Sequence, residues 1–376
     1  MSCVVAVEPV LPEHVYTQEE ITDVVGPLVA PDPARTAVLR RLHASAGVDH
    51  RHLALPLEEY AGLHSLGATN AVFIREGALL AERACRQVLA AAGLRPEDVD
   101  HVFATSVTGV AAPSLDVLLS ERIGLRSDVR RTPSFGLGCA GGAGGLARVH
   151  DHLLGRPGDV SLLVSVELCS LTLQHGDGST ANMVASGLFG DGAAAAVVVG
   201  AGHPLAGPTA GAGAGARDPA DLAARAGRRR ATVVDTRSRL YPGTTEALGW
   251  EVRDTGFAIV LSAGLPDLLR AHLLADVKGL LAEHGLTPGE IPTWVVHAGG
   301  PRVIDAVRDA LGLPEGAVRE SRASLACAGN LSSASVLDVL ARTLAHTEAP
   351  PGSPAVLMAF GPGVSSELVL LKLEER

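Results

Sequence analysis

The sequence Ser134-Phe-Gly-Leu-Gly-Cys139-Ala-Gly-Gly-Ala-Gly-Gly145 places a cysteine where an apolar segment meets a run dense in glycine. Leu146, Val149 and Leu153 then follow at helical spacing. Each glycine inside a helix costs about 1 kcal/mol relative to alanine, so such a run indicates that another group approaches this backbone closely. A cysteine at a helix start meets the positive end of the helix dipole, which lowers the pKa of its thiol. We therefore interpret Cys139 as the candidate nucleophile, with a lowered pKa.

The composition indicates a large globular protein with a substantial core. The chain has 376 residues, of which 47% are hydrophobic and 19% are charged. Its net charge of −10 argues against nucleic acid or an anionic membrane as the main partner. No signal peptide is recognisable, and the longest strongly apolar run, residues 193–199, is too short to span a bilayer. We therefore expect no stable membrane insertion.

The five cysteines are an odd number, and none of them forms a CxxC motif. This pattern fits neither a disulfide framework nor a zinc site, and it predicts a reducing, cytoplasmic location without a bound metal.

An internal repeat relates the two halves of the chain. Residues 93–105 resemble residues 285–297 at a constant offset of 192, the difference between 285 and 93. Two further landmarks recur in the same order: residues 138–141 resemble residues 326–329, and residues 188–192 resemble residues 359–363. Strands and helices alternate within each half. The sequence therefore predicts a duplicated α/β unit with a pseudo-twofold axis.

The repeat divides the chain into three parts. Residues 1–200 form an N-terminal half with the nucleophilic cysteine, and residues 231–376 form a C-terminal half with the candidate histidine and asparagine. Residues 201–230 between them are rich in glycine and alanine and include Arg228-Arg-Arg230. We interpret this segment as an exposed, mobile connection, and its arginine run as a solvated loop face in preference to a docking patch.

The predicted axis brings Cys139 close to two groups of the other half. His297 follows an apolar strand and precedes a glycine turn, where α/β folds often place functional groups. Imidazole can form an ion pair with a low-pKa thiolate. Asn330 lies at the start of another helix, and its amide could donate to an oxyanion. Taken singly, Asn330 could instead be a helix N-cap, and His297 could be a satisfied core residue.

The remaining cysteines are weaker candidates for catalysis. Cys327 also precedes a helix but lacks the dense glycines, so we interpret it as a packing residue. Cys85 lies in an amphipathic helix and Cys3 near a terminus that we expect to fray, so both are predicted to be structural.

Several motifs together resemble the type III polyketide synthases, the chalcone synthase-like branch of the thiolase superfamily. The motifs are Phe135-Gly-Leu-Gly-Cys-Ala-Gly-Gly142, Gly187-Leu-Phe-Gly-Asp-Gly-Ala193, His297-Ala-Gly-Gly-Pro301, Gly329-Asn-Leu-Ser-Ser-Ala-Ser-Val336 and Phe360-Gly-Pro-Gly363. They occur in order over nearly the whole chain. The resemblance implies a thiolase-like, duplicated αβαβα five-layer fold and a homodimer. It also implies a catalytic triad of Cys139, His297 and Asn330.

The resemblance also assigns residues that bind substrate. Phe189 corresponds to the family's gatekeeper phenylalanine, and Ile259 stands where plant members have a second aromatic gatekeeper. Arg41 matches one basic residue that grips coenzyme A, whereas Val38 and Ser45 stand near positions where relatives have lysines. The implied substrate-binding residues are Phe189, Cys169, Thr172, Ile259, Gly299, Gly300, Ser332, Phe360, Gly361, Pro362 and Gly363.

The implied activity is iterative condensation of malonyl-CoA or methylmalonyl-CoA onto an acyl-CoA starter held on Cys139. Coenzyme A thioesters serve as substrates, and no separate cofactor is expected. Residues 165–173 and 249–257 are most similar to bacterial alkylpyrone and alkylresorcinol synthases, which predicts such a cyclised product. Two alternatives stay open: a single condensation like that of β-ketoacyl-acyl carrier protein synthase III, and a catalytically silent scaffold that binds acyl-CoA.

Overall fold

The computed structural model describes residues 1–207 and 229–375. Within those ranges the strands are β1 (Ser2–Val10), β2 (His14–Thr17), β3 (His50–Leu53), β4 (His101–Ser106), β5 (Arg130–Phe135), β6 (Val160–Leu168), β7 (Asp191–Gly200), β8 (Ala231–Leu240), β9 (Leu248–Arg253), β10 (Gly256–Leu261), β11 (Thr293–Val296), β12 (Pro354–Gly361) and β13 (Ser365–Leu373). The helices are α1 (Gln18–Val29), α2 (Pro33–Ala44), α3 (Leu66–Val72), α4 (Ala78–Ala92), α5 (Leu115–Ile123), α6 (Gly141–Gly155), α7 (Thr180–Leu188), α8 (Leu265–Ala282), α9 (Pro301–Leu311), α10 (Arg319–Ala328) and α11 (Ser335–His346).

The predicted duplication is visible in the strand order of the main sheet. Its nine strands run β11-β12-β13-β8-β1-β7-β6-β4-β5. In the first half, β4 is parallel to β6, while β6–β7 and β7–β1 are antiparallel pairs. In the second half, β11 is parallel to β12, while β12–β13 and β13–β8 are antiparallel pairs. The matching pattern confirms a duplicated unit whose axis passes between β1 and β8.

Two helices with the same place in each half fill the centre of the molecule. Helix α6 contacts β4 and β6 of its own half and β12 and β13 of the other, and α11 contacts both β1 and β11. Helix α4 covers β1 and β7 from outside, as α8 covers β8 and β13. Because β6 and β7 are covered on both faces, every residue in these strands is buried. This is the predicted thiolase-like five-layer fold.

The glycines after Cys139 allow the two central helices to approach. A Cβ atom on Gly142 would lie 2.3 Å from the carbonyl oxygen of Ser333, and one on Gly141 would lie 2.9 Å from Ser333 Cβ. On the opposite side, a Cβ on Gly145 would lie 2.7 Å from Leu163 Cδ1. Real Cβ atoms do not come so close, so larger side chains here would separate the helices. The close approach expected from the glycine run is therefore present.

The interpretation of Cys327 as a packing residue was wrong. Cys327 is exposed near the end of α10 and does not pack in the core.

The short 3-10 turn that holds Cys139, Gly138–Ala140, corresponds to Ser332–Ala334, because these two turns lead into α6 and α11. The likeness of residues 138–141 to 326–329 therefore joins positions that are not equivalent in the fold. Cys3 is buried in β1, inside the main sheet, so its interpretation as a structural residue is confirmed, whereas the frayed end expected for this segment is not present.

The predicted mobile connection lies largely outside the described residues, since residues 208–228 are not described. Its described end does not form a solvated face. Arg230 is half-buried and donates to the carbonyl oxygens of Leu205 (2.7 Å) and Gly207 (3.2 Å). Arg229 is also half-buried and donates to the carbonyl of Ala349. These two arginines therefore fix the chain where it enters β8. Among the described helices, none is long and apolar enough to cross a membrane.

Candidate active site

One cavity collects residues from both halves of the molecule. It has a volume of about 560 Å³, within the usual size of ligand pockets. The first half contributes Cys139 and Phe189, and the second contributes His297, Asn330 and Phe360. Gly299 and Gly300 of the turn before α9 also line it. The three residues that the sequence singled out for chemistry therefore face the same space.

Cys139 lies in the 3-10 turn that precedes α6, with its thiol against the second half. Its Sγ atom is 3.7 Å from Ser332 Oγ. Burial raises the pKa of the Cys139 thiol to about 12, and the charge of Glu167 acts in the same direction. The hydrogen bonds of the thiol with Ser332 and Asn330 lower the pKa, but burial outweighs both of them. The lowered thiol pKa expected from the helix dipole is therefore wrong for this state, because loss of solvation outweighs the dipole.

His297 follows β11 directly, and its backbone N–H donates to Met358 O at 2.9 Å. The side chain is buried, and burial lowers its pKa to about 4. Its Nδ1 atom has no hydrogen-bond partner among the described residues. His297 and Cys139 line the same cavity with their imidazole and thiol both neutral, so they do not form the ion pair that the sequence suggested. The imidazole is instead a base that is ready to accept the thiol proton during attack.

The side chain of Asn330 is held by the turn that precedes α11. Its Oδ1 atom accepts from the backbone N–H of Ser332 (2.8 Å) and from Ser335 Oγ (3.3 Å) at the start of the central helix. This network assigns the amide orientation. Its Nδ2 atom donates to Gly299 O at 3.3 Å, which leaves a second N–H for the cavity. The N-cap residue of α11 is Ala334 and that of the turn before it is Leu331, so the N-cap interpretation of Asn330 was wrong. The role of Asn330 as an oxyanion donor stays a prediction.

Glu167 is a buried carboxylate behind the nucleophile that the sequence analysis did not single out. It accepts hydrogen bonds from Ser106 Oγ (3.2 Å), Val107 N (3.0 Å) and Thr108 Oγ1 (2.8 Å). It also accepts from Ser332 Oγ (3.3 Å), the hydroxyl next to Cys139, and from Ser333 Oγ. Burial raises its pKa. A charged residue inside the otherwise uncharged strand β6 was the available signal.

Ser332 is held in a strained conformation beside the thiol. Its φ angle is +49°, a region that non-glycine residues rarely adopt. The hydrogen bond to Glu167 and the one between its N–H and Asn330 hold it there. Such strain at a site indicates that the orientation of the hydroxyl matters.

Phe189 separates the cavity from a second, smaller chamber. It follows α7 and forms a β-bridge with Asn330, in which Asn330 N donates to Leu188 O at 2.8 Å. Arg51 Nη1 donates to the carbonyls of Ser186 (2.7 Å) and Phe189 (2.9 Å). Phe189 is therefore fixed by backbone contacts from both halves. Arg51 was also missed, since only its burial distinguishes it from the many surface arginines.

Besides Phe189, three of the predicted substrate-binding residues line the smaller chamber. Cys169, Thr172 and Ile259 line it together with Phe189 and Arg51. Its volume of about 30 Å³ leaves room for roughly two water molecules. The ring of Trp250 lies 6.4 Å from that of Phe189 and 6.5 Å from that of Phe257, between centroids.

The remaining predicted site residues have supporting positions. Gly361, Pro362 and Gly363 are not among the described residues that line either chamber. Pro362 instead packs on the turn of the nucleophile, where a Cβ on Gly138 would lie 2.4 Å from Pro362 Cδ. Gly363 N donates to Leu248 O at 2.9 Å, which ties this loop to β9. Arg41 is exposed on α2, beside the cavity-lining Leu42.

Comparison with known proteins identifies the family. A sequence model of the N-terminal domain of chalcone and stilbene synthases matches residues 1–203, and the C-terminal domain model matches residues 232–373. The chain belongs to the chalcone and stilbene synthase family. It is a type III polyketide synthase, an acyltransferase-type enzyme, as its motifs predicted.

Individual relatives extend this family assignment. The chain is 50% identical to 1,3,6,8-tetrahydroxynaphthalene synthase of Streptomyces peucetius subsp. caesius over 372 residues, which cover 98% of this chain and 92% of the relative. It is 33% identical to the enzyme of the same name from Streptomyces griseus, over 96% of this chain and 90% of the relative. The crystal structure of 1,3,6,8-tetrahydroxynaphthalene synthase from Streptomyces coelicolor A3(2), a bacterial type III polyketide synthase, matches with a TM-score of 0.87 at 30% identity, covering 100% of both chains.

Proposed function

We propose that this enzyme condenses malonyl-CoA units on Cys139 and cyclises the chain to 1,3,6,8-tetrahydroxynaphthalene. The observation that carries the chemistry is the single cavity that a thiol, an imidazole and an oriented amide share. The 50% identity to a tetrahydroxynaphthalene synthase over nearly the whole chain supports the product. Coenzyme A thioesters are the substrates, and the residues of the cavity need no bound cofactor for these steps.

The first step loads the starter. As Cys139 Sγ attacks the carbonyl carbon of the starter thioester, its proton moves to His297, whose imidazole is neutral because burial lowers its pKa to about 4. The bond from carbon to the coenzyme A sulfur then breaks. The leaving thiolate takes the proton from His297, and the acyl group stays on Cys139 as a thioester.

The second step generates the carbon nucleophile. When malonyl-CoA loses CO₂, the electron pair of the broken carbon–carbon bond moves into the thioester as an enolate. The free N–H of Asn330 donates to the enolate oxygen, and His297 also donates to it in the neutral tautomer whose N–H faces the cavity. Asn330 is suited to this because Ser332 and Ser335 hold its oxygen away from the cavity. The enolate carbon then attacks the acyl carbon, and Cys139 leaves as a thiolate. For the next round this thiolate attacks the thioester carbonyl of the extended chain, the bond from carbon to the coenzyme A sulfur breaks, and the released coenzyme A thiolate takes a proton from water.

The size of the inner chamber supports a small starter. Tetrahydroxynaphthalene carries no alkyl side chain, so its starter must be a short unit such as malonyl. A chamber of about 30 Å³ beyond Phe189 does not accommodate a long alkyl chain. An alkylpyrone or alkylresorcinol, the product predicted from residues 165–173 and 249–257, would require this chamber to widen. Ile259 is the feature that favours that second product, because it is smaller than an aromatic side chain.

Product analysis tests the proposal. The purified enzyme is incubated with malonyl-CoA alone and, in parallel, with malonyl-CoA and a series of fatty acyl-CoA starters, and the products are identified by mass spectrometry. We expect tetrahydroxynaphthalene from malonyl-CoA alone. Alkylated pyrones or resorcinols as the main products would replace this proposal with the alternative. A product of a single condensation would contradict both.

The proposed functional unit is a homodimer, which the family resemblance implied. Strand β5 lies at one end of the main sheet and is largely exposed, and its outer edge has no strand partner within the described part of the chain. Phe135 at its end is 53% exposed, an unusual position for a large apolar side chain. Pairing of two β5 edges would cover both features. Sedimentation equilibrium should give twice the chain mass, and a Phe135→Asp variant should shift toward monomer.

A cytoplasmic location stays a prediction.

A further inference from the structure

The main cavity reaches the surface between elements from opposite halves. Ser45, directly after α2, and Arg302, the second residue of α9, both line the cavity and are exposed. The two elements are in contact, since a Cβ on Gly47 would lie 3.2 Å from Pro301 Cγ. We call this opening, formed by the end of α2 and the start of α9, the mouth. A substrate that reaches Cys139 through this opening passes between these two elements.

Arg302, which lines the cavity, and Arg41, which precedes the cavity-lining Leu42, differ from their neighbours in having no acidic partner. Arg40 pairs with Asp23 at 2.7 Å, and Arg308 on α9 pairs with Glu315 and Asp309. Arg41 and Arg302, by contrast, form no ion pair with any residue of the described ranges. Both are exposed. In a chain with a net charge of −10, an unpaired cation on each of the two elements that form the mouth favours an anion there.

We propose that Arg302 binds a phosphate group of the coenzyme A moiety at the mouth, across from α2, the helix that carries Arg41. This inference rests on the proposed function, because it takes coenzyme A thioesters as the substrates. A guanidinium group suits phosphate because its N–H groups form a planar fork that donates to two oxygens. Arg302 thereby supplies from the second half the positive charge that Val38 and Ser45 do not supply from the first.

The walls of the cavity explain why the phosphates stay at the mouth. Leu42, Val184, Leu265 and Val303 line the cavity, so its wall is largely apolar. Such walls accept the neutral arm of coenzyme A, whereas burial of a phosphate dianion there would be strongly unfavourable. The thioester therefore enters first and the phosphates remain outside, within reach of the exposed guanidinium groups.

Steady-state kinetics test the role of Arg302. In the Arg302→Ala variant we expect KM for malonyl-CoA to rise about five- to tenfold with kcat nearly unchanged, because the lost contact binds ground state and transition state alike. Arg302→Lys should recover part of the loss. The matched control is Arg156→Ala, which removes an exposed arginine that does not border the cavity and forms no ion pair with the described residues. It should leave KM unchanged.

A truncated substrate separates phosphate binding from a general disturbance of the mouth. N-acetylcysteamine thioesters carry the reacting group but no phosphate. Arg302→Ala should turn them over as the wild type does. A KM unchanged for malonyl-CoA, or raised equally for both substrates, would overturn the inference.

Direct binding keeps the inference testable if the proposed product is wrong. Isothermal titration calorimetry with coenzyme A, 3′-dephospho-coenzyme A and pantetheine does not depend on turnover. If Arg302 holds the 3′-phosphate, the variant should lose affinity for coenzyme A alone, and if it holds the pyrophosphate, it should lose affinity for both phosphorylated ligands. Equal affinities of wild type and variant for all three ligands would refute the assignment, whatever product the enzyme makes.

Discussion

The two halves of this enzyme have the same strand pattern but contribute different chemistry at matching positions. The 3-10 turn before α6 carries Cys139, whereas the matching turn before α11 carries Ser332 and Ser333. The hydroxyls of these serines donate to Glu167. The first turn thus presents the nucleophile, and the second orients the groups around it. Duplication thus supplied two helix starts at one central junction, and only one of them needs a thiol.

The two Cys-Ala-Gly segments show the same difference between the halves. Cys139 faces the shared cavity, while Cys327, in the similar sequence of the second half, is exposed near the end of α10. Sequence likeness alone would make them equivalent. Their surroundings differ, because Cys139 lies within 3.7 Å of Ser332 and lines the same cavity as His297 and Asn330.

The largest expected effect is therefore the difference between two cysteine variants. Cys139→Ala should abolish polyketide formation, a loss of at least about 10³-fold in kcat, because no other group at this position can hold the acyl chain. Cys327→Ala should retain full activity and is the matched control. Product formation from malonyl-CoA is measured by liquid chromatography. If Cys139→Ala remained active, or if Cys327→Ala were inactive, the assignment of the nucleophile to the first half would be wrong.

The second half is tested at Asn330. The Asn330→Asp variant has a carboxylate in place of the amide at the point where the enolate forms. The rate of malonyl-CoA decarboxylation should therefore fall by about 10²–10³-fold. Loading of the starter onto Cys139 should fall much less, since it does not create an enolate. Release of ¹⁴CO₂ measures the first step, and intact-protein mass spectrometry measures the second. Equal losses in the rates of decarboxylation and of starter loading would show that Asn330 supports the structure of the site and does not act on the enolate.

A smaller effect concerns proton transfer between the halves. Burial raises the pKa of the Cys139 thiol to about 12 and lowers the pKa of His297 to about 4, so both groups are neutral between these values. The rate of alkylation of Cys139 by iodoacetamide should then rise about tenfold per pH unit from pH 6 to 9, because only the thiolate reacts. The rate is measured by mass spectrometry of the labelled peptide. A plateau across neutral pH would instead indicate a resting thiolate–imidazolium pair.

How far the sequence predicts this site depends on whether a residue acts locally or through distant partners. The glycines of α6 predict the close approach, and the likeness of residues 93–105 to residues 285–297 predicts the duplicated fold, because both patterns can be read along the chain without knowledge of contacts. The network at Glu167 is different. Its donors come from β4, the loop after it and the turn before α11, and no spacing rule joins these segments.

The error in the Cys139 pKa has a related cause. The helix dipole can be inferred from position, but the desolvation that outweighs it depends on how deeply the thiol is enclosed. That depth is set by both halves together. The structural role of Arg51 likewise depends on the carbonyls of Ser186 and Phe189, which only the fold brings close to it.

The smallest expected effect tests the junction of the halves itself. Gly142→Ala adds a methyl group at a point 2.3 Å from Ser333 O, on the opposing turn. The turn must shift, and we expect a loss of about 2–3 kcal/mol in the free energy of unfolding, with reduced activity. Gly155→Ala at the other end of α6 meets no atom within 4 Å and should stabilise the helix by about 0.5 kcal/mol with activity retained. Urea unfolding of both variants measures the difference. If Gly142→Ala were as stable as Gly155→Ala, close contact between the halves would not be what requires the glycines after Cys139.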